Sequence, residues 1–380
     1  MRSTGLRRCI AAVAVAGMCT AAGVAVAQGD EWDKTTTLSD SGDFVSGFDV
    51  TVDDNGTTTA IWAVDYSTRD DLQSIQVRTR PADGEWTASE TLAEKPFESG
   101  KDVLRDPGVA ATTAGSVIAA WVEETDTNDR VVAAQKQAGG SWSEPRQVTS
   151  AGNISQLRIA GSASGHAMLV WRQDNGIHAS RYTPDNGWSA AKTLSSSGTD
   201  PDVAINASGV AYAAWSQSSG SSTPDRIRAR YSTPGGAWSS FATLSQADRK
   251  AEKPAVAVDK QGSGMVVWRQ FLSSSRILES HRPAGKSWTK PVTISNTSRT
   301  SYDPDVALDA RGSAVAVWQV RISTNDLPRL EVHTASRPSG GAWGTSSRLD
   351  PDGLERRSPW TAKAMPRPCG TTSARNTPTA

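Results

Sequence analysis

Apolar and polar positions alternate in short runs along most of this chain, and the alternation is itself periodic. The clearest copy is residues 201–245, PDVAINASGVAYAAWSQSSGSSTPDRIRARYSTPGGAWSSFATLS. It holds four alternating runs, each ended by Gly, Pro or a Ser-rich turn. A period of two puts successive side chains on opposite faces of a strand, so each unit is predicted to be four half-buried β-strands. Trp215 closes the second run and Trp238 opens the fourth.

The unit recurs at intervals near 50 residues. Its second-run tryptophans are Trp62, Trp121, Trp171, Trp215, Trp268 and Trp318, with fourth-run partners Trp86, Trp142, Trp188, Trp238, Trp288 and Trp343. The first two runs match closely in DPDVAINASGVAYAAW from Asp200, KPAVAVDKQGSGMVVW from Lys253 and DPDVALDARGSAVAVW from Asp303. Repeated four-stranded units of this length predict an all-β fold, a β-propeller of four-stranded blades with six recognisable blades. Gly29–Ser39 (GDEWDKTTTLS) reads as a fourth run without the first three. Trp32 is therefore expected on an N-terminal strand of a seventh blade, closing the ring so that only short, protected edges remain. Asn55-Gly56, Ser208-Gly209, Gln261-Gly262 and Arg311-Gly312 predict tight turns between first and second strands.

Outside the repeat, residues 1–27 read as a signal peptide: Arg2, Arg7 and Arg8, an Ala/Val-rich run, then Ala25-Val26-Ala27 as the cleavage site. The expected location is secreted and extracellular. Cys9 and Cys19 would leave with that segment, and Cys369 alone cannot form an intrachain disulfide. Residues 28–349 form the propeller domain, and residues 350–380 form an irregular tail rich in Pro and Arg. The tail has a second reading. Back-translating Trp360–Gly370 one base upstream permits the string VDGQGNATAVW, with its Asp and its first Ala forced by the genetic code. It matches VDKQGSGMVVW at 258–268 and LDARGSAVAVW at 308–318. A frameshifted seventh blade is the hypothesis this raises.

The formal charge is zero, from 40 basic and 40 acidic side chains. Setting aside the three Arg of residues 1–27 and the five basic residues of 356–380 leaves 32 basic against 40 acidic, a net of −8. That balance argues against nucleic acid as a partner. No later apolar run approaches the roughly 20 residues of a membrane helix. His166, His178, His281 and His333 lack metal-ligand spacing, and Asp53-Asp54-Asn55 lacks the oxygen-ligand spacing of a calcium loop. No metal and no cofactor is expected.

Chain direction places the starts of the first strands and the ends of the second strands on one face, the top. The residues converging there are Asp106, Asp200, Asp202, Lys253, Asp303 and Asp305 from the first set, with Glu123, Arg172, Gln173, Gln217, Arg269, Gln270 and Gln319 from the second. Of these, Asp106, Arg172, Asp200, Asp202, Arg269, Asp303 and Asp305 are the candidate ligand-binding residues of the rim. Carboxylates and amides beside a tryptophan suit saccharide hydroxyls and ring faces. Asp-Pro is also a turn signal, so strand capping explains the same aspartates. The tryptophans suit packing between blades, because each ring buries a large apolar area.

Between third and fourth strands lie TPDNGW (183–188), ADGEW (82–86) and TPGGAW (233–238). These resemble shortened Asp-boxes of the sialidase-like propeller superfamily. Asp185 and Asp83 keep the acid, and Gly235 replaces it. In that superfamily the boxes are structural. The resemblance implies the fold, but sialidase catalysis would require an Arg-Ile-Pro near the start, which is missing, and an arginine triad with a Tyr/Glu pair. Tyr66, Tyr182, Tyr212, Tyr231 and Tyr302 include no evident partner set, and no catalytic residue is assigned. The functional expectation is a monomeric, non-catalytic binding protein that recognises extracellular or cell-surface glycans through the top rim. A divergent sialidase-like glycoside hydrolase and a protein–protein scaffold are the alternatives.

Overall fold

The computed structural model describes residues 36–67, 71–97, 103–218, 224–235, 237–322 and 329–349. The signal segment, Trp32, and the tail with its hidden repeat lie outside the described residues. The described chain is a β-propeller. Blade 1 is β1 (Asp43–Val52), β2 (Thr58–Ser67), β3 (Leu72–Arg80) and β4 (Glu90–Pro96). Blade 2 is β5 (Leu104–Ala111), β6 (Val117–Glu124), β7 (Asp129–Lys136) and β8 (Arg146–Ser150). Blade 3 is β9 (Ile154–Gly161), β10 (Ala167–Gln173), β11 (Gly176–Thr183), and an outer edge split into β12 (Gly187–Trp188) and β13 (Lys192–Ser195). Blade 4 is β14 (Thr199–Ile205), β15 (Ala211–Gln217), β16 (Arg226–Ser232) and β17 (Ala242–Thr243). Blade 5 is β18 (Ala251–Val258), β19 (Gly264–Gln270), β20 (Arg276–Arg282) and β21 (Val292–Thr293). Blade 6 is β22 (Ser301–Leu308), β23 (Ala314–Ile322), β24 (Arg329–Arg337) and β25 (Ser347–Arg348). Within each blade the strands are antiparallel and in chain order, except that β12 and β13 both pair with β11.

The alternation becomes packing between blades. One face of blade 4 sets Trp215, Ala213, Val203 and Ile205 against Met168, Val170, Ile177 and Leu194 of blade 3. Trp121, Trp171, Trp268 and Trp318 sit in the corresponding cores of the other neighbouring pairs. Each buried indole contributes on the order of 4–6 kcal/mol of transfer free energy. Five such cores join blades 1 to 6. Among the described residues β22 does not pack on β1 as the other five neighbouring inner strands pack on each other. One interval of the ring is thus not filled by a described blade.

The turns between first and second strands follow the expectation. Asp53 shows how: its carboxylate accepts the N–H groups of Asn55 at 2.9 Å and Thr57 at 2.8 Å, and Gly56 takes φ 78°, which a Cβ would oppose. Asn206, Asp259 and Asp309 play the same part in blades 4, 5 and 6.

The fourth strands differ from expectation. Trp86, Trp142, Trp238, Trp288 and Trp343 precede the fourth strand and Trp188 ends the two-residue β12; in every blade the main outer strand begins four residues after the Trp. In blades 1 to 5 the residue after the Trp explains this; in blade 6 Gly344 makes only the N–H bond, to the Ser336 carbonyl at 2.8 Å. Thr87, Ser143, Ser189, Ser239 and Thr289 each donate a backbone N–H to the third strand. Their hydroxyls also accept a third-strand N–H at 3.1–3.2 Å. This two-bond clip uses up the local pairing, and the chain swings out before it re-pairs.

Candidate functional site

All six inner strands line one central channel of about 390 Å³. At its top the inner strand of every blade carries a β-bulge or register shift where it pairs with the second strand. The bulged residue has a left-handed backbone in blades 2 to 6: Asp106 (φ 51°), Gln156 (57°), Asp200 (52°), Lys253 (57°) and Asp303 (42°). An L-residue there costs roughly 1–2 kcal/mol, and Asp bears it best because its short side chain bonds locally. In four of the five the next residue is Pro, which has no N–H to leave unpaired where the ladder is broken. Four of these five strained residues are linked by bonds between blades.

Those bonds form an arc. Asp106 Oδ2 accepts the Gln156 N–H at 2.7 Å, Gln156 Oε1 accepts the Asp200 N–H at 2.9 Å, and Asp200 Oδ1 takes Lys253 Nζ at 2.5 Å. A second tier lies one step down the strands. Asp49 Oδ2 accepts the Val109 N–H at 3.1 Å, and Asp202 Oδ2 accepts the Val256 N–H at 2.8 Å. Asp305, buried, takes its own neighbour's N–H from Val306 at 2.8 Å.

The structure therefore brings Asp106, Asp200 and Asp303 to one height on the rim and sets Asp202 and Asp305 along the channel below. Asp106, Asp200 and Asp202 each give one carboxylate oxygen to the next blade. Arg269 leaves β19 toward blade 6, with its guanidinium carbon 4.3 Å from the ring centres of both Phe271 and Tyr302 and Nη1 2.9 Å from Glu252. Among the described residues Arg172, its counterpart in blade 3, donates to Asn175 Oδ1 at 3.4 Å, and its Nε is buried without a hydrogen bond. Gln156, Phe271 and Tyr302 are not among the rim residues the sequence offers. Gln156 was findable, because it aligns with Asp106, Asp200, Lys253 and Asp303 two residues ahead of the second-tier position.

The remaining polar residues of the top are structural. Glu123 is buried. Burial pushes its carboxyl pKa up, but hydrogen bonds and charge from Arg130 and Lys95 outweigh this and leave it below the usual range. It meets Arg130 at 2.8 Å and Lys95 of blade 1 at 2.7 Å, so it ties two blades together. Gln270 accepts from Trp268 Nε1 at 3.2 Å and donates to the Arg249 and Lys250 carbonyls. At the opposite end, the Asp83 and Asp185 side chains are exposed, and among the described residues neither carboxylate takes a hydrogen bond. The turn before Trp188 is closed by Thr183 Oγ1, which accepts the Asn186 N–H at 3.3 Å. Among the described residues no group of three or more His, Cys, Asp and Glu is placed to hold a metal ion, and no helix is long and apolar enough to cross a membrane.

No protein-family profile and no curated protein matches the chain. Among solved structures it is similar to the BP39L lectin from Burkholderia pseudomallei, at 12% identity and a TM-score of 0.60, covering 85% of this chain and 90% of that one. It also aligns with the NanB sialidase from Streptococcus pneumoniae (9% identity, TM-score 0.46, 75% of this chain and 67% of that one). A third match is the Aleuria aurantia lectin (13%, 0.43, 80% and 97%). At these identities the first likeness shows a common propeller fold, and the substrates of these proteins are their own.

Proposed function

We propose that this chain is a secreted, non-catalytic binding protein that recognises extracellular or cell-surface glycans through the top rim of the propeller. The observation that carries the reading is the bulge arc. Five blades hold Asp, Gln, Asp, Lys and Asp at one height in a strained backbone form, beside Tyr302 and Phe271, which flank Arg269. Strain kept in register at one opening marks positions the surrounding structure over-determines, as binding sites do. Carboxylates and an amide set by the backbone, with aromatic faces beside them, suit sugar hydroxyls and apolar ring faces. A lectin among the proteins of like fold supports the same reading.

A glycan array probed with the protein and with Asp303→Asn tests this. Asp303 lies at the last described bulge of the arc. The expected result is a bound glycan set that Asp303→Asn weakens without changing thermal unfolding. An empty array together with capture of an extracellular protein would favour the scaffold reading. Cleavage of a bound glycan would favour a hydrolase, which needs two carboxylates flanking the scissile bond.

A further inference from the structure

Blade 4 carries an arginine stripe that the rim does not use. Arg226, Arg228 and Arg230 alternate along β16 with Ile227 and Ala229, which face blade 5. The three arginines therefore lie on the other face, toward blade 3. Arg228 and Arg230 stand directly beside Trp215 and Ala213 of the blade 3–4 core. From the facing blade comes Arg172, on the same side of β10 as Val170 and Met168, which pack on blade 4. Four guanidinium groups thus enter one cleft between neighbouring blades.

Several arginines outside this cleft have a counter-charge. Arg78, Arg105, Arg130, Arg269, Arg337 and Arg348 each lie within 4 Å of a carboxylate. Among the described residues no ion pair joins a carboxylate to Arg172, Arg226, Arg228 or Arg230 within 4 Å. Arg226 is held by the Ser245 carbonyl at 2.5 Å. The Nε atoms of Arg172, Arg228 and Arg230 are buried with no hydrogen bond. Burial, and then the charge of Arg226, lowers the Arg228 pKa, as expected of a cation lacking a counter-charge. Phe241, 47% exposed, lies 4.7 Å from the Arg228 guanidinium carbon. Residues 28–349 carry 32 basic against 37 acidic side chains, a net of −5, so a cleft of arginines without a carboxylate partner beside an open aromatic face runs against the overall balance.

We infer that the cleft between blades 3 and 4 binds an acidic sugar, its oxyanion on the Arg228 and Arg230 guanidinium groups and its ring face on Phe241. Guanidinium groups bind planar or tetrahedral oxyanions through paired N–H donors, which lysine cannot reproduce. The exposed phenyl face supplies the apolar contact a pyranose needs. The site is separate from the rim, and each can fail without the other.

The test titrates the full chain with polygalacturonate, dextran sulfate and neutral dextran at fixed ionic strength. Variants are Arg228→Gln, Arg230→Gln, Arg228→Lys, Phe241→Ala and the rim variant Asp303→Asn, each checked for unchanged thermal unfolding. The expected result is binding of one or both anionic polymers and none of dextran, weakened at least about tenfold by Arg228→Gln and by Arg228→Lys. Phe241→Ala should weaken it further and Asp303→Asn should leave it unchanged. Which polymer binds identifies carboxylate or sulfate as the oxyanion. Three outcomes overturn the inference: neither polymer binds; Arg228→Gln and Arg230→Gln bind as the parent does; or Arg228→Lys retains full affinity, which would leave only unspecific charge attraction.

Discussion

Replacing Asp200 separates two things its position imposes, a bond between blades and a left-handed backbone. Its carboxylate holds Lys253 Nζ at 2.5 Å, and its side chain is 12% exposed against 26% for Lys253. A hydrogen bond to a charged group is worth about 1.5–3 kcal/mol, and partial exposure places this one near the lower end. Alanine loses the bond and adds about 1 kcal/mol of left-handed strain at φ 52°, for a total near 2.5 kcal/mol. Glycine loses the bond and removes the strain, but frees the unfolded chain, for about 1.5 kcal/mol. Asparagine tolerates the backbone and keeps an acceptor, and should cost about 1 kcal/mol or less. The predicted order of destabilisation is therefore Asn, then Gly, then Ala. Equilibrium urea unfolding of the three variants, compared at constant m, measures it. If alanine proves no worse than glycine, the bulge strain is not real and the account of the rim falls with it.

Acid should destabilise the fold through two groups. Glu123 has its pKa lowered in the folded state, where its ion pairs outweigh burial, so the stability it adds is present at neutral pH and lost as pH falls through the carboxylate range. Glu123→Gln should cost most near pH 7 and progressively less in acid, as urea midpoints across pH will show. His178 is lowered by burial, partly offset by Asp174, so its contribution is lost as pH falls through the ordinary histidine range. Gly161→Ala would set a Cβ 2.0 Å from the Ala111 carbonyl of blade 2, and should cost about 3 kcal/mol or prevent folding; Gly235→Ala, with nothing within 4 Å, should show only its backbone strain. Finally, sequencing the gene around codons 350–360 and downstream should show, one base upstream, a reading frame whose strand pattern completes the blade that Trp32 begins; a single uninterrupted frame with no strand pattern after it would remove the seventh-blade hypothesis.

The repeat was legible in the sequence because each unit solves the same local problem. Period-two alternation selects strands, Gly and Asx residues select the turns, and one Trp per second strand selects a flat blade with two buried faces. These are short-range constraints, and six copies made the blade unmistakable. The role of the clip residue after the fourth-run Trp was hidden, since a Ser or Thr in a turn looks the same whether or not its hydroxyl meets a neighbouring strand. The rim was legible only as a set of residue types. Whether Asp200 or Asp202 faces solvent, the channel or the next blade depends on a bulge, and a bulge shifts every later side chain to the other face of the strand. Arg172, Arg228 and Arg230 lie more than 50 residues apart at their extremes, and only the angle at which blade 4 stacks on blade 3 brings them into one cleft. The chain's own pattern thus determined the blade and its repetition. The packing of one blade on the next decided which charges are matched and which are left open, because that depends on distances no single unit contains.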